Sequence, residues 1–164
     1  MLDDHSAAKS GGVPDAAGLP DAAGLPDAVR RLVTATNSHD LDGIVDCFAA
    51  DYVNLTPAHP QRGFTGRGQV RRNWTAIFAA APDVAATVTD WAREGPSVWT
   101  EWTMRGTRRD GTAHAMCGVI VFGLRSDRIA SARFYLEPVD GDGRPDGQGS
   151  DADAAPQAVL RGAP

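Results

Sequence analysis

The apolar residues of this chain change their period once, at Pro82-Asp83, and that change constrains the fold more than any other feature. Before it they recur every three to four residues, as on one face of a helix; after it they alternate, as on the two faces of a strand. Asp27 stands where it would cap a first helix carrying Val29, Leu32, Val33 and Thr36 on one face and ending near Asn37-Ser38-His39. Asp40 would cap a second, with Leu41, Ile44, Val45 and Phe48 in helical spacing. A short extended piece, Tyr52–Thr56, leads into the loop Pro57-Ala58-His59-Pro60, and Thr65 opens a third helix marked by Val70, Trp74, Ile77, Phe78 and Ala81. Beyond Pro82, strands are predicted over Val84–Ala92, Val98–Arg105, Ala113–Leu124 and Ile129–Pro138, separated by the turn signals Glu94-Gly95-Pro96, Arg109-Asp110-Gly111 and Arg125-Ser126-Asp127. Three helices followed by four antiparallel strands predict an α+β fold in which the helices cover one face of the sheet.

With 164 residues the chain supports one core of ordinary depth. Residues 1–26 contain a tandem Asp-Ala-Ala-Gly-Leu-Pro and few large side chains, and residues 141–164 are rich in Gly, Asp and Pro; both are read as disordered arms flanking a domain over residues 27–140. A net charge of −5 without a run of Lys or Arg predicts no nucleic-acid or lipid-surface partner. The longest apolar run, around Val119–Phe122, is far short of the ~20 residues needed to span a bilayer. The acidic start, Met1-Leu2-Asp3-Asp4-His5, does not read as a secretory signal, so the expected location is the cytoplasm. There, Cys47 and Cys117 are expected as buried free thiols. No His/Cys/Asp/Glu spacing suits a metal and no Gly-rich loop links a strand to a helix, so no cofactor is expected.

Residues 28–51, AVRRLVTATNSHDLDGIVDCFAAD, are similar to the opening helical hairpin of ketosteroid isomerase and the SnoaL-like polyketide cyclases. Gly66–Trp74 resembles the third helix of the same nuclear transport factor 2-like superfamily, and Met116–Leu124 with Arg128–Glu137 its final strand pair. The resemblance implies a cystatin-like cone, a pocket between the helices and one sheet face, and a homodimer formed through the outer face. It does not bring the catalytic groups with it. The position of the isomerase base falls on Thr56, that of its oxyanion tyrosine on Leu32, and that of its neutral acid on or beside Val119. The water-orienting and acid–base positions of limonene epoxide hydrolase fall on Asn54, Thr56, Trp102, Met104 and Phe134, and the acid of the cyclases lies near Phe134. A shared fold alone therefore assigns no reaction.

Alternation assigns Val98, Thr100, Trp102 and Met104 to one sheet face, together with Ala115, Cys117, Val119 and Val121 and with Ala132, Phe134 and Leu136. Read as the inner wall, this set is almost wholly apolar and fits a filled core or a cavity for a small apolar molecule. The ligand-binding candidates are Leu32, Thr36, Trp74, Phe78, Trp102, Met104, Cys117, Val119 and Phe134. The polar, possible catalytic candidates are His59, Asn54, Thr56 and Tyr52, of which His59 is the one that titrates near neutral pH. Three functions stay open at this point: a binding domain or degenerate enzyme, an active isomerase, cyclase or hydrolase with an unusual site, and a dimeric interaction module.

Overall fold

The computed structural model describes residues 24–140. The elements are α1 (Asp27–Asn37), α2 (Leu41–Asp46), β1 (Phe48–Leu55), a 3-10 turn (Pro60–Arg62), β2 (Phe64–Thr65), α3 (Arg67–Ala80), β3 (Ala85–Glu94), β4 (Ser97–Thr107), β5 (Ala113–Arg125) and β6 (Arg128–Pro138). The six strands form one sheet in the order β2-β1-β6-β5-β4-β3. All neighbours are antiparallel except β1 and β6, which run parallel. This α+β arrangement agrees with the predicted class and adds two strands to the predicted four.

The helical hairpin follows from local chemistry. Val29, Leu32, Val33 and Thr36 of α1 are buried, and Pro26 rather than Asp27 takes the N-cap position. Asp27 is instead the first helical residue, ion-paired with Arg30. Leu25, left in the disordered arm by its composition, is buried in the core, and Gly24 and Pro26 of that arm are described with it; residues 1–23 and 141–164 lie outside the described residues. The Asp40 carboxylate accepts the Gly43 N–H at 2.9 Å and caps α2. Phe48 departs from its helical spacing and begins β1, because the Cys47 carbonyl is taken by the Ile129 N–H at 2.9 Å and draws the chain into pairing with β6. Burial pushes the Cys47 thiol up to about 11. Thr65 belongs to β2, and α3 starts after Gly66, whose φ of 82° lets its N–H reach the Tyr52 carbonyl at 2.7 Å.

Two side chains tie the hairpin to the sheet. Asn37 donates to the Ala86 carbonyl at 2.9 Å and accepts the Ala86 N–H at 2.7 Å, so it closes the edge strand β3 much as another strand would. His39, in the left-handed region at φ 55°, donates from Nε2 to the Val84 carbonyl at 2.8 Å and lies 4.6 Å from Phe78, more than the simple helix terminator its sequence position suggested.

Strand register corrects one face assignment. Val98, Thr100, Trp102 and Met104 of β4 pair with Phe122, Ile120, Gly118 and Met116 of β5, which pair in turn with Ala132, Phe134, Leu136 and Pro138 of β6. Directly opposed residues share a face, so the inner wall of β5 is the set Met116, Ile120 and Phe122, and Ala115, Cys117, Val119 and Val121 look outward. Cys117 is exposed, not buried as expected. On β4 and β6 the expected faces hold: Trp102 and Leu136 are buried, and Glu101, Arg133 and Tyr135 are exposed.

Gly118 carries no side chain between Trp102 and Leu136. Its φ is +141°, and a Cβ built there would stand 2.2 Å from the Tyr135 carbonyl oxygen. Gly118→Ala is therefore expected to cost about 2 kcal/mol or more through strain and overlap, lowering Tm by roughly 8 °C. Thermal unfolding followed by circular dichroism checks this, and an unchanged Tm would show that the two strands separate there without cost.

Candidate functional site

A cavity of about 130 Å³ lies between α3 and the inner sheet face. That is on the order of ten times the ~10–15 Å³ one water requires, which is room for a small organic molecule. Its walls are mostly apolar. Helix α3 supplies Val70, Trp74 and Ile77, the sheet supplies Trp102, Met104, Met116, Ile120, Phe122, Phe134 and Leu136, and α1 contributes Leu32. Trp102 offers only its ring surface, because its indole N–H is spent on the Thr100 hydroxyl at 2.7 Å, which itself donates to the Ile120 carbonyl at 2.7 Å.

Polar groups reach the cavity at two separate places. At one, Tyr52 and Asn54 point inward from alternate positions of β1, and the Asn54 amide donates to the Tyr52 hydroxyl at 3.3 Å. Asn54 is 3% exposed, and its Oδ1 has no hydrogen-bond partner among the described residues. An orphaned buried acceptor is costly unless a ligand or water satisfies it. The Tyr52 ring is held edge-on by Phe48 at 4.6 Å and Phe64 at 5.9 Å, and burial drives its phenol well above the ordinary tyrosine range. It stays protonated at any physiological pH. Nearby on α3, the Asn73 Oδ1 accepts from Gln69 at 2.7 Å, which orients the Asn73 amide in the wall.

At the other place are Arg108 and His114, on the two sides of the turn that joins β4 to β5. His114 opposes Gly106 in the ladder. Burial, with the Arg108 charge second and opposed by Asp83, holds its pKa below the ordinary 6.5, so the imidazole is neutral at neutral pH. None of the described lining residues is an aspartate or a glutamate.

The residues named from sequence divide accordingly. Leu32, Tyr52, Asn54, Trp74, Trp102, Met104 and Phe134 line the cavity. Thr36 and Thr56 are buried but outside its wall, and the Thr36 hydroxyl has no hydrogen-bond partner among the described residues. Phe78 packs at 5.5 Å from Trp74 and does not line the cavity. Cys117 and Val119 are on the outer face, a consequence of the β5 register. His59 sits in the loop before the 3-10 turn with Nε2 3.4 Å from the Glu137 carboxylate and does not line the cavity. His114 and Arg108 were not among the candidates, because nothing in a period-2 pattern tells which face of a strand end opens onto a cavity.

A histidine whose folded pKa is depressed takes its proton first in the unfolded chain. Stability from neutral His114 is thus complete above the unfolded value near 6.5 and declines as pH falls through 6.5 toward the folded value. We expect the fall in Tm between pH 7.5 and 5 to be smaller in His114→Gln than in the unaltered protein. Parallel pH profiles for the two would remove His114 from that account.

The chain resembles several solved structures. A protein with a ketosteroid isomerase-like fold from Catenulispora acidiphila, determined in complex with trimethylamine, is 24% identical over 67% of this chain and 85% of its own, with a TM-score of 0.57. A Sinorhizobium meliloti protein assigned as a polyketide cyclase is 22% identical over 68% and 94%, TM-score 0.54. An epoxide hydrolase of limonene epoxide hydrolase-like type from M. tuberculosis is 17% identical over 67% and 80%, TM-score 0.58. At these identities the likeness is one of fold. No curated protein matches the chain. Residues 29–132, well over half of the sequence, match the model of the SnoaL-like domain, and the chain belongs to that family.

Proposed function

We propose that this SnoaL-like domain binds a small, mostly apolar molecule in the cavity between α3 and the sheet, as a binding protein or an enzyme that has lost its acid–base chemistry. The carrying observation is the combination of an apolar wall with a buried, unpartnered Asn54 Oδ1 and no described lining carboxylate. An apolar body gains from burial against Trp74, Trp102 and Phe134, while a hydroxyl donor or a water is the partner that Asn54 lacks. The carboxylate-dependent routes of isomerase, cyclase and hydrolase have no acid to use among these residues.

A second reading keeps catalysis and moves it to His114. A neutral imidazole in a cavity wall is a competent proton acceptor, a role His59 cannot fill from outside that wall. For the outer sheet face we propose a second copy of the chain as partner: Trp99 and Tyr135 are 48% and 43% exposed, and the Arg133 guanidinium lies 5.9 Å from the Trp99 ring centroid.

Native mass spectrometry of freshly purified protein, followed by thermal-shift assays with terpenoid, steroid and aromatic polyketide panels, tests the first reading. A retained organic adduct or a saturable rise in Tm is expected; neither appearing with any member would contradict it. Asn54→Leu should separate stability from binding. The substitution removes a buried orphan acceptor but also the amide that donates to the buried Tyr52 hydroxyl, two effects of about 1 kcal/mol and opposite sign, so the Tm of the ligand-free protein is expected to change little while any hydroxyl-bearing ligand is weakened about tenfold.

A further inference from the structure

The two polar places in the cavity wall stand at its opposite ends, and they differ in charge. Asn54 pairs with Ala132 on β6, which lies in the same inter-strand row as Phe122 of β5. His114 lies eight positions from Phe122 along β5, a path of up to ~26 Å at about 3.3 Å per residue. Helix α3 runs in the same direction over the other side of the cavity. Its Gly66 end is bonded to Tyr52, its last carbonyls meet Arg109, and the lining residues Val70 and Ala80 are about 15 Å apart along the helix axis. The space between them is bounded by Trp74, Ile77, Trp102 and Phe134.

At the α3 C-terminal end the lining residue with a permanent charge is Arg108. Its position is fixed by the turn: the backbone N–H donates to the Thr112 carbonyl at 2.8 Å and Nη1 donates to the Ala113 carbonyl at 3.0 Å. Of the carboxylates around it, Asp110 feels the Arg108 charge but spends its hydrogen bonds on Thr112, the N–H at 2.9 Å and the hydroxyl at 2.6 Å, and Asp83 spends its own on the Thr107 N–H at 2.6 Å. Among the described residues no carboxylate is ion-paired with Arg108. The negative end of the α3 dipole would oppose an anion, but Arg109 covers it, donating to the Ala79 carbonyl from Nε at 2.6 Å and to the Ala80 carbonyl from its backbone at 3.2 Å. A half-buried arginine with one guanidinium nitrogen bonded to the Ala113 carbonyl, beside the end of an apolar slot, keeps fork positions for a carboxylate.

Resting on the binding function proposed above, we infer that the ligand is an amphipathic carboxylate: Arg108, with His114 beside it, receives the carboxylate, and the apolar body runs along Trp74, Trp102 and Phe134 toward Asn54. The neutral His114 ring then serves as a hydrogen-bond partner next to the anion, and the ligand enters the slot tail first.

Isothermal titration of the full chain at pH 7.5 with octanoate, 1-octanol and octylamine tests this. Octanoate is expected to bind about tenfold more tightly than 1-octanol, the size of one charge-assisted hydrogen-bonded contact, and octylamine more weakly than either. In Arg108→Gln the octanoate-to-octanol ratio should fall to about one; in Arg108→Lys, which keeps the charge, a preference for octanoate should remain. Melting curves of both variants establish that they are folded. Equal binding of octanoate and octanol, or a ratio unchanged in R108Q, would overturn the inference while leaving an apolar pocket in place. Binding of none of the three would count against the pocket itself as well.

Discussion

Strand β5 lies between β4 and β6 with Met116, Gly118, Ile120 and Phe122 facing Met104, Trp102, Thr100 and Val98, and this register determines what the cavity contains. A slip of one residue would exchange every side chain of β5 between the two faces. It would bring Cys117 and Val119 into the cavity and remove Met116, Ile120, Phe122 and His114. Gly118 helps to hold the register, since any side chain at that point would collide with the Tyr135 carbonyl. The indole of Trp102 occupies the neighbouring position on the same face, with its N–H already satisfied through Thr100. A backbone constraint thus becomes a chemical one: the wall presents hydrocarbon and aromatic surface, and polarity enters where β1 and the β4–β5 turn reach the cavity.

Two of those polar groups behave differently because their surroundings differ. Tyr52 is enclosed by Phe48, Phe64 and Asn54, and the loss of solvent keeps its phenol protonated. His114 is kept neutral by burial and, secondarily, by Arg108. Neither environment produces a carboxylate-driven base. Both provide directional contacts for a molecule whose binding comes mainly from the apolar area it removes from water. The hairpin α1–α2 contributes at a distance, through the Asn37 clamp on Ala86 and the His39 contact with Val84, which anchor the layer of helices over the sheet.

Much of this architecture is legible in the residues. Pro82 ends the helical period and the alternation after it yields β3 to β6 to within about two residues at most ends. Asp40 marks its cap correctly because Ser, Thr, Asp and Asn act locally at helix starts. Local rules fail where long-range pairing decides. Phe48 fits a helical face but is taken into β1 by β6, and the parallel β1–β6 contact has no short-range signature. On β5 both faces are apolar, as expected of a strand flanked on each side, so alternation identified the strand and could not orient it. Of the site, Leu32, Trp74, Trp102, Met104 and Phe134 were accessible from period alone. Arg108 and His114 were not, since their role depends on where the end of α3 lies over the β4–β5 turn, and His59 attracted notice by its chemistry although its loop packs against Glu137 outside the wall.

The most direct test is methyl NMR of protein labelled at methionine and valine methyl groups, titrated with 1-octanol. If the cavity is as described, the Met104 and Met116 resonances move together along one saturable curve and those of Val119 stay in place. Saturable movement at Val119 with Met116 silent would reverse the face assignment of β5 and, with it, the composition of the cavity.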